Sequence, residues 1–125
     1  MRSFTETTML KAGPALKVTL YLNDDTGSEH GFLHMELLAF LEHRGIAGAS
    51  AVRPYAGFGS HHRLHVAGGG DVRGEHLPII LSFIDDVDKV EALLPELLER
   101  VTDGLVEAHP TQILKSALGV SRVIV

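Results

Sequence analysis

"LPIILSFIDD", Leu77 to Asp86, is the stretch whose reading decides the fold. Ile79, Leu81 and Phe83 alternate with Ile80 and Ile84, and Ser82 is the one polar residue among them. The run therefore reads as a strand that is apolar on both faces. Directly after it, Asp85 or Asp86 can cap "DVDKVEALLPELLERV", a helix with Val87, Val90, Leu94, Leu97 and Val101 on one side. Pro95 removes one helical hydrogen bond, so a kink or break is expected there. Gly104 ends the helix, and "LVEAH", Leu105–His109, reads as a short fourth strand.

Upstream of Leu77 no helical pattern intervenes before the preceding strand. "AGASAVRPYAG", Ala47–Gly57, is a weak strand whose Pro54 cannot donate to a ladder and so belongs at an edge or a bulge. Before it, "FLHMELLAFLEHRG" repeats Leu33, Leu37, Phe40 and Leu41 at helical spacing. Ser28 is a candidate N-cap, and Gly45-Ile46 reads as a Schellman-type stop. "LKVTLYL", Leu16–Leu22, alternates strictly and is the first strand.

The order strand–helix–strand–loop–strand–helix–strand, with right-handed crossovers, predicts an α+β fold. It is a ferredoxin-like βαββαβ sandwich, a four-stranded antiparallel sheet with two helices on one face. Residues 1–15, ending in Gly13-Pro14, read as a flexible N-terminal extension, residues 16–109 as the domain, and residues 110–125 as a C-terminal tail. "RVIV", Arg122–Val125, is a candidate further edge strand. Both helices cover one face of the sheet, so the two-sided apolar strand leaves one set bare, Ile80 and Ile84 or the alternating one. Exposing them forgoes about 1.5–3 kcal/mol each, large beside a domain stability of about 5–15 kcal/mol. Self-association is the expected remedy, in preference to a terminal segment folding over that face.

Composition narrows the function. The 125 residues contain no cysteine, which excludes disulfides, thiol catalysis and cysteine-held metals, and fits a reducing cytoplasm. No run approaches a transmembrane length and the N-terminus has no secretory h-region. The net charge of −5 argues against affinity for nucleic acid.

The loop "AGFGSHHRLHVAGGGDVRGEHLP", Ala56–Pro78, departs from the rest with six glycines and four histidines. His62 stands where G-x-G-x-x-G needs its third glycine, and no P-loop pattern exists. Three readings remain open. Glycine-freed N–H groups near Gly57–Ser60, with Arg63 and also Arg53, could cradle an anion. His61, His62, His65 and His76 could hold a divalent metal, and His30 and His34 share i, i+4 spacing. The third reading is an inert hairpin connector. No nucleophile–base set declares itself, so a non-enzymatic role is expected.

Gly45-Ile46-Ala47-Gly48-Ala49, Ala56-Gly57-Phe58-Gly59 and Leu77-Pro78 resemble the small PII-like proteins grouped as domain-of-unknown-function family 190. The resemblance spans about Leu16 to Glu107 and extends more distantly to the nitrogen-regulatory PII proteins. It implies a cytoplasmic signalling protein. The assembly implied is a homotrimer with an adenine nucleotide (ATP, ADP or AMP) in clefts between subunits, and the long loop is shown to a partner, by analogy a membrane transport protein. By this match Gly57, Phe58, Gly59 and Ser60, with Arg63 and Arg53, are the ligand-binding residues. The alternative is a trimeric metal-binding protein using His61, His62 and His65. The chain departs from PII proteins at "VTDGLVEAH", which has no phosphate-loop lysine, in lacking a tyrosine between Gly59 and His76, and in carrying Ser82 where the family pattern is acidic.

Overall fold

The structure is a computed structural model that describes residues 10–58, 65–66 and 77–119. Its elements run β1 (Gly13–Asn23), β2 (Gly27–Ser28), β3 (Gly31–Phe32), α1 (Leu33–His43), β4 (Ala49–Val52) and β5 (Ala56–Gly57). They continue with β6 (His65–Val66), β7 (Pro78–Asp86), α2 (Val87–Arg100) and β8 (Leu105–Ile113). The main sheet has the order β4-β7-β1-β8 and is antiparallel throughout. This is the ferredoxin-like arrangement, with the apolar β7 in the interior and the proline-bearing segment at an edge.

The register sorts the side chains of the central pair. Val18 faces Phe83, Leu20 faces Leu81 and Leu22 faces Ile79, all buried. Leu33, Leu37, Phe40 and Leu41 of α1 and Val90, Leu93 and Leu97 of α2 complete the same cluster, so both helices lie on one face. Leu94 and Val101 pack only at its margin, and Leu93 takes the central place. Across the top of the helices, the Arg44 and Arg100 guanidiniums lie over the Phe40 ring at 5.3 and 4.6 Å. Both arginines bond to Glu96, and Arg100 also reaches Glu36. The hydrogen bond from Arg100, with the charges of Arg100 and Arg44 behind it, holds the Glu96 carboxyl below the usual carboxylate range.

Several local expectations are corrected. Ser28 is not the cap of α1. Its hydroxyl donates to the Gly31 carbonyl within the β2–β3 hairpin, and the Thr26 carbonyl accepts from Leu33 N–H at 2.8 Å instead. That hairpin also removes His30 from the helix, so the i, i+4 pairing with His34 does not exist. Pro95 lies inside an uninterrupted α2. The second strand stops at Val52, because Pro54 offers no N–H and biases Arg53 toward extended backbone; Ala56–Gly57 pairs in a separate ribbon with His65–Val66. At the other edge β8 runs on to Ile113 through Pro110, which an edge strand tolerates on its unpaired side. With β1 starting at Gly13, the sheet takes in residues assigned above to both tails. Arg122–Val125 lie outside the described residues.

The Schellman stop is formed in full. Gly45 sits at φ +81°, its N–H donates to Glu42 O, and Ile46 N–H donates to Leu41 O. The chain then returns toward the sheet and is caught by Asp85, which is wholly buried. One Asp85 oxygen accepts from Ala47 N–H at 2.9 Å and the other from Asp86 N–H at 2.7 Å. Lys89 stands 3.6 Å from the same carboxylate and donates to Gly45 O at 2.8 Å. Asp86 occupies the N-cap position of α2 without a side-chain cap, and Asp85 does not cap it either, since its carboxylate accepts from Asp86 N–H and Ala47 N–H.

Removing the carboxylate strands buried donors and the Lys89 charge together. Asp85→Ala should therefore lower the unfolding free energy by about 3–5 kcal/mol, read as a fall in the urea midpoint at unchanged slope. Gly104 gives a second expectation. Its φ is +137° and an added Cβ would fall 2.6 Å from Tyr21 O, so Gly104→Ala should destabilise by about 1–3 kcal/mol in the same assay.

Candidate functional site

The edge strand β4 leaves its outer backbone groups unpaired among the described residues, and most of its residues carry little side chain. Two clefts flank its start and share Ala47, Gly48 and Ala49. On the helix side, a cleft of about 450 Å³ is walled by Met35, Leu38, Ala39 and Ile46, with Glu42 as its charged residue. On the side facing away from the helices, a cleft of about 560 Å³ is lined by Lys17, Ser50, Ser82 and Ile84, and closed by Leu10, Ser116 and Leu118. Both volumes suit a small organic ligand.

From Ala49 the strand leads to the root of the long loop. Four residues at about 3.3 Å each put Arg53 about 13 Å from that start. Here Arg53 Nη1 donates to Asp24 Oδ2 at 2.7 Å, and the buried Asp24 Oδ1 has no partner among the described residues. Asp24 N–H bonds to Leu77 O at 2.8 Å, and Asn23 reaches Asp103 at 3.3 Å, so both flanks of the root are tied to the sheet end. Arg53 is thus tethered to Asp24 while its side chain stays exposed; one bond uses only part of its five donors.

Of the residues singled out from sequence, Gly57 pairs with His65 in the β5–β6 ribbon and Phe58 is exposed. Gly59, Ser60, His61, His62 and Arg63 lie outside the described residues, as does His76. Among the described residues no group of three or more His, Asp or Glu side chains could hold a metal. Sequence reading missed Lys17, Ser50 and Ser82. Each looks like an ordinary polar strand position, and only the register unites them. Ser50 faces Ser82 across β4–β7, and Lys17 lies diagonally beyond on β1.

The sheet face opposite the helices divides along its length. At the loop-root end, Val52, Ile80, Tyr21 and Leu105 form one row across all four strands. Val52, Tyr21 and Leu105 are exposed. Tyr21 donates to Glu107 Oε2 at 2.7 Å, and this hydrogen bond first, then burial and the Glu107 charge, raises the tyrosine pKa above its ordinary value. At the other end, the segments flanking β1 and β8 cover the face, and Ala15 there is only 1% exposed.

A family model described as DUF190, an uncharacterised ACR, matches residues 15–113. The fold is also that of CPII, a nitrogen regulatory PII-like protein from Thiomonas intermedia K12. Its structure bound to ADP, AMP and bicarbonate is 21% identical, with a TM-score of 0.57, over 85% of this chain and 93% of that one. The apo form of CPII is 17% identical at a TM-score of 0.54, over 82% and 95% of the two chains.

Tyr21 and Tyr55 are the only tyrosines. In a Tyr55→Phe chain, phenolate absorbance should therefore appear above the ordinary tyrosine pH, and Glu107→Gln should bring it down. The sign for stability follows: the Tyr21 contribution is complete below the ordinary value and is lost as pH rises through the raised one. A titration indifferent to Glu107→Gln would contradict the bond.

Proposed function

Because the chain belongs to the DUF190 family, we propose that it is a cytoplasmic, non-enzymatic PII-like regulator that binds an adenine nucleotide along the β4 edge. The carrying observation is the position of Ala47, Gly48 and Ala49, a side-chain-poor backbone edge at a cleft of about 450 Å³. A flat base can approach such a backbone closely enough to exchange hydrogen bonds with unpaired N–H and C=O groups. A nucleotide is about as long as β4, so with its base at this end its phosphates reach the loop root. There Gly57–Ser60 N–H groups, Arg63 and Arg53 are the proposed anion donors. Nucleotides in CPII support the choice of ligand.

Ligand binding would set the conformation of Ser60–Arg73 and so change the surface shown to a partner, for which a membrane transport protein is the proposal. No helix among the described residues is long and apolar enough to cross a membrane, so the loop would reach such a partner from outside the bilayer. The proposed assembly is a homotrimer, in which the Val52–Ile80–Tyr21–Leu105 row meets neighbouring subunits. A metal-binding reading rests on the loop histidines, and no described residue adds to it.

Calorimetric titration with AMP, ADP and ATP tests the ligand. Charge-assisted hydrogen bonds contribute about 1.5–3 kcal/mol each, so Arg63→Ala should weaken binding about 10- to 100-fold. Silence of Arg63→Ala, with loss of a zinc-induced thermal shift in His61→Ala, would replace the nucleotide by a metal. Light scattering should give three times the 13.5 kDa subunit mass, and Ile80→Asp should dissociate or unfold the assembly. A concentration-independent monomer would refute it.

A further inference from the structure

Asp24 stands between the two ends of the long loop. Its backbone N–H donates to Leu77 O at 2.8 Å, where the chain leaves the loop for β7. Its carboxylate accepts from Arg53, where the chain leaves β4 toward the loop. One residue therefore ties entry to exit, and only the entry is held by side chains that a ligand can compete for.

The two side chains are unequally placed. That of Asp24 is 17% exposed and that of Arg53 44%, so the carboxylate is the fixed member and the guanidinium the movable one. They meet through a single bond, Nη1 to Oδ2 at 2.7 Å, rather than the two-pronged pairing that would be hardest to displace. Asp24 Oδ1 is buried and has no partner among the described residues, so the carboxylate depends on the guanidinium for its charge. A phosphate arriving at the closed pair meets a cation already neutralised, with a carboxylate beside it. Asn23, next to Asp24, reaches a further carboxylate, Asp103, at 3.3 Å. Like charges at such range repel, so the phosphate gains the full attraction of Arg53 only by drawing it off Asp24.

We propose that Asp24 is a latch that competes with the anionic ligand for Arg53, so that ligand binding and release of the loop's entry from Asp24 are one event. This rests on the reading of Arg53 as a phosphate donor. The closed latch withholds Arg53, and the apparent affinity falls with the fraction of chains in which the guanidinium is free. The Asp24–Leu77 bond is made by backbone and keeps the loop's exit fixed, so occupancy of the site uncouples entry from exit.

The test is calorimetric titration of AMP and, separately, of pyrophosphate into the full chain and into its Asp24→Asn, Arg53→Ala and doubly substituted forms. Asp24→Asn should bind both anions about 3- to 10-fold more tightly, and Asp24→Ala should shift the same way. Amide spectra check that each variant is folded. Arg53→Ala should bind both anions more weakly, and adding Asp24→Asn to it should change nothing further, because Asp24 acts only through Arg53. Weaker binding to Asp24→Asn would overturn the latch, since Asp24 would then orient Arg53 for the ligand. So would an equal gain in the Arg53→Ala background, which would make Asp24 a repelling charge and no more. If AMP binds and Asp24→Asn leaves its affinity unchanged, the latch falls and the nucleotide reading stands. If pyrophosphate shows the gain and AMP binds no form of the chain, the nucleotide reading falls and the latch stands. Binding of neither anion would overturn both.

Discussion

The carboxylate of Asp85 is the constraint on which the rest of the functional architecture depends. It is the one buried charge among the described residues, set where β7 becomes α2. A carboxylate taken out of water is tolerated only if its lone pairs find donors and its charge a partner. Ala47 N–H, Asp86 N–H and Lys89 supply these, and Lys89 is in turn fixed by Gly45 O. The result ties three chain segments at one point: the end of the central strand, the start of the second helix, and the turn leading from the first helix to the edge strand.

Both clefts inherit their shape from that tie. Ala47, Gly48 and Ala49 wall each of them, and their own side chains bury almost nothing that could hold them in place. An edge strand with four exposed residues needs an anchor other than packing. Polar satisfaction at Asp85 provides it at one end, and the Arg53–Asp24 bond provides it at the other. The intervening strand can then present free backbone to a ligand without drifting from the sheet, which is the preorganisation that binding sites require.

The uncovered sheet face shows a similar division of labour. Its loop-root end is an apolar row beside the hydrogen-bonded pair Tyr21 and Glu107, whereas its far end mixes polar and apolar residues with the segments that flank β1 and β8. A uniformly apolar face would favour association in many registers. Restricting the apolar row to one end limits which contacts remove it from water.

Much of the fold was legible because periodicity reports burial directly. The alternation in Leu16–Leu22, the 3.6 spacing of Leu33, Leu37, Phe40 and Leu41, and the two-sided Ile79–Ile84 run each named an element, and the first two also named its face. Their order then left one common topology. Gly45 marked a helix's end and Pro54 an edge position through backbone chemistry that needs no tertiary context. Where local signals competed, sequence failed. Ser28 had the right chemistry for a cap, but a two-residue hairpin claimed its hydroxyl. The strand read as ending at His109 runs on through Pro110, which its edge position makes harmless. The proposed ligand site was legible only as motifs, and the place of Ala47–Ala49 at one sheet edge is invisible along the chain. Lys17 and Ser50 carried no motif at all, and Ser82 stood out only as a departure from the family pattern. The amino-acid sequence by itself determined which residues are apolar, at what period, and where the backbone must turn. Only the tertiary structure decided which polar groups meet, because that depends on cross-strand register and on a buried carboxylate choosing its donors from distant segments.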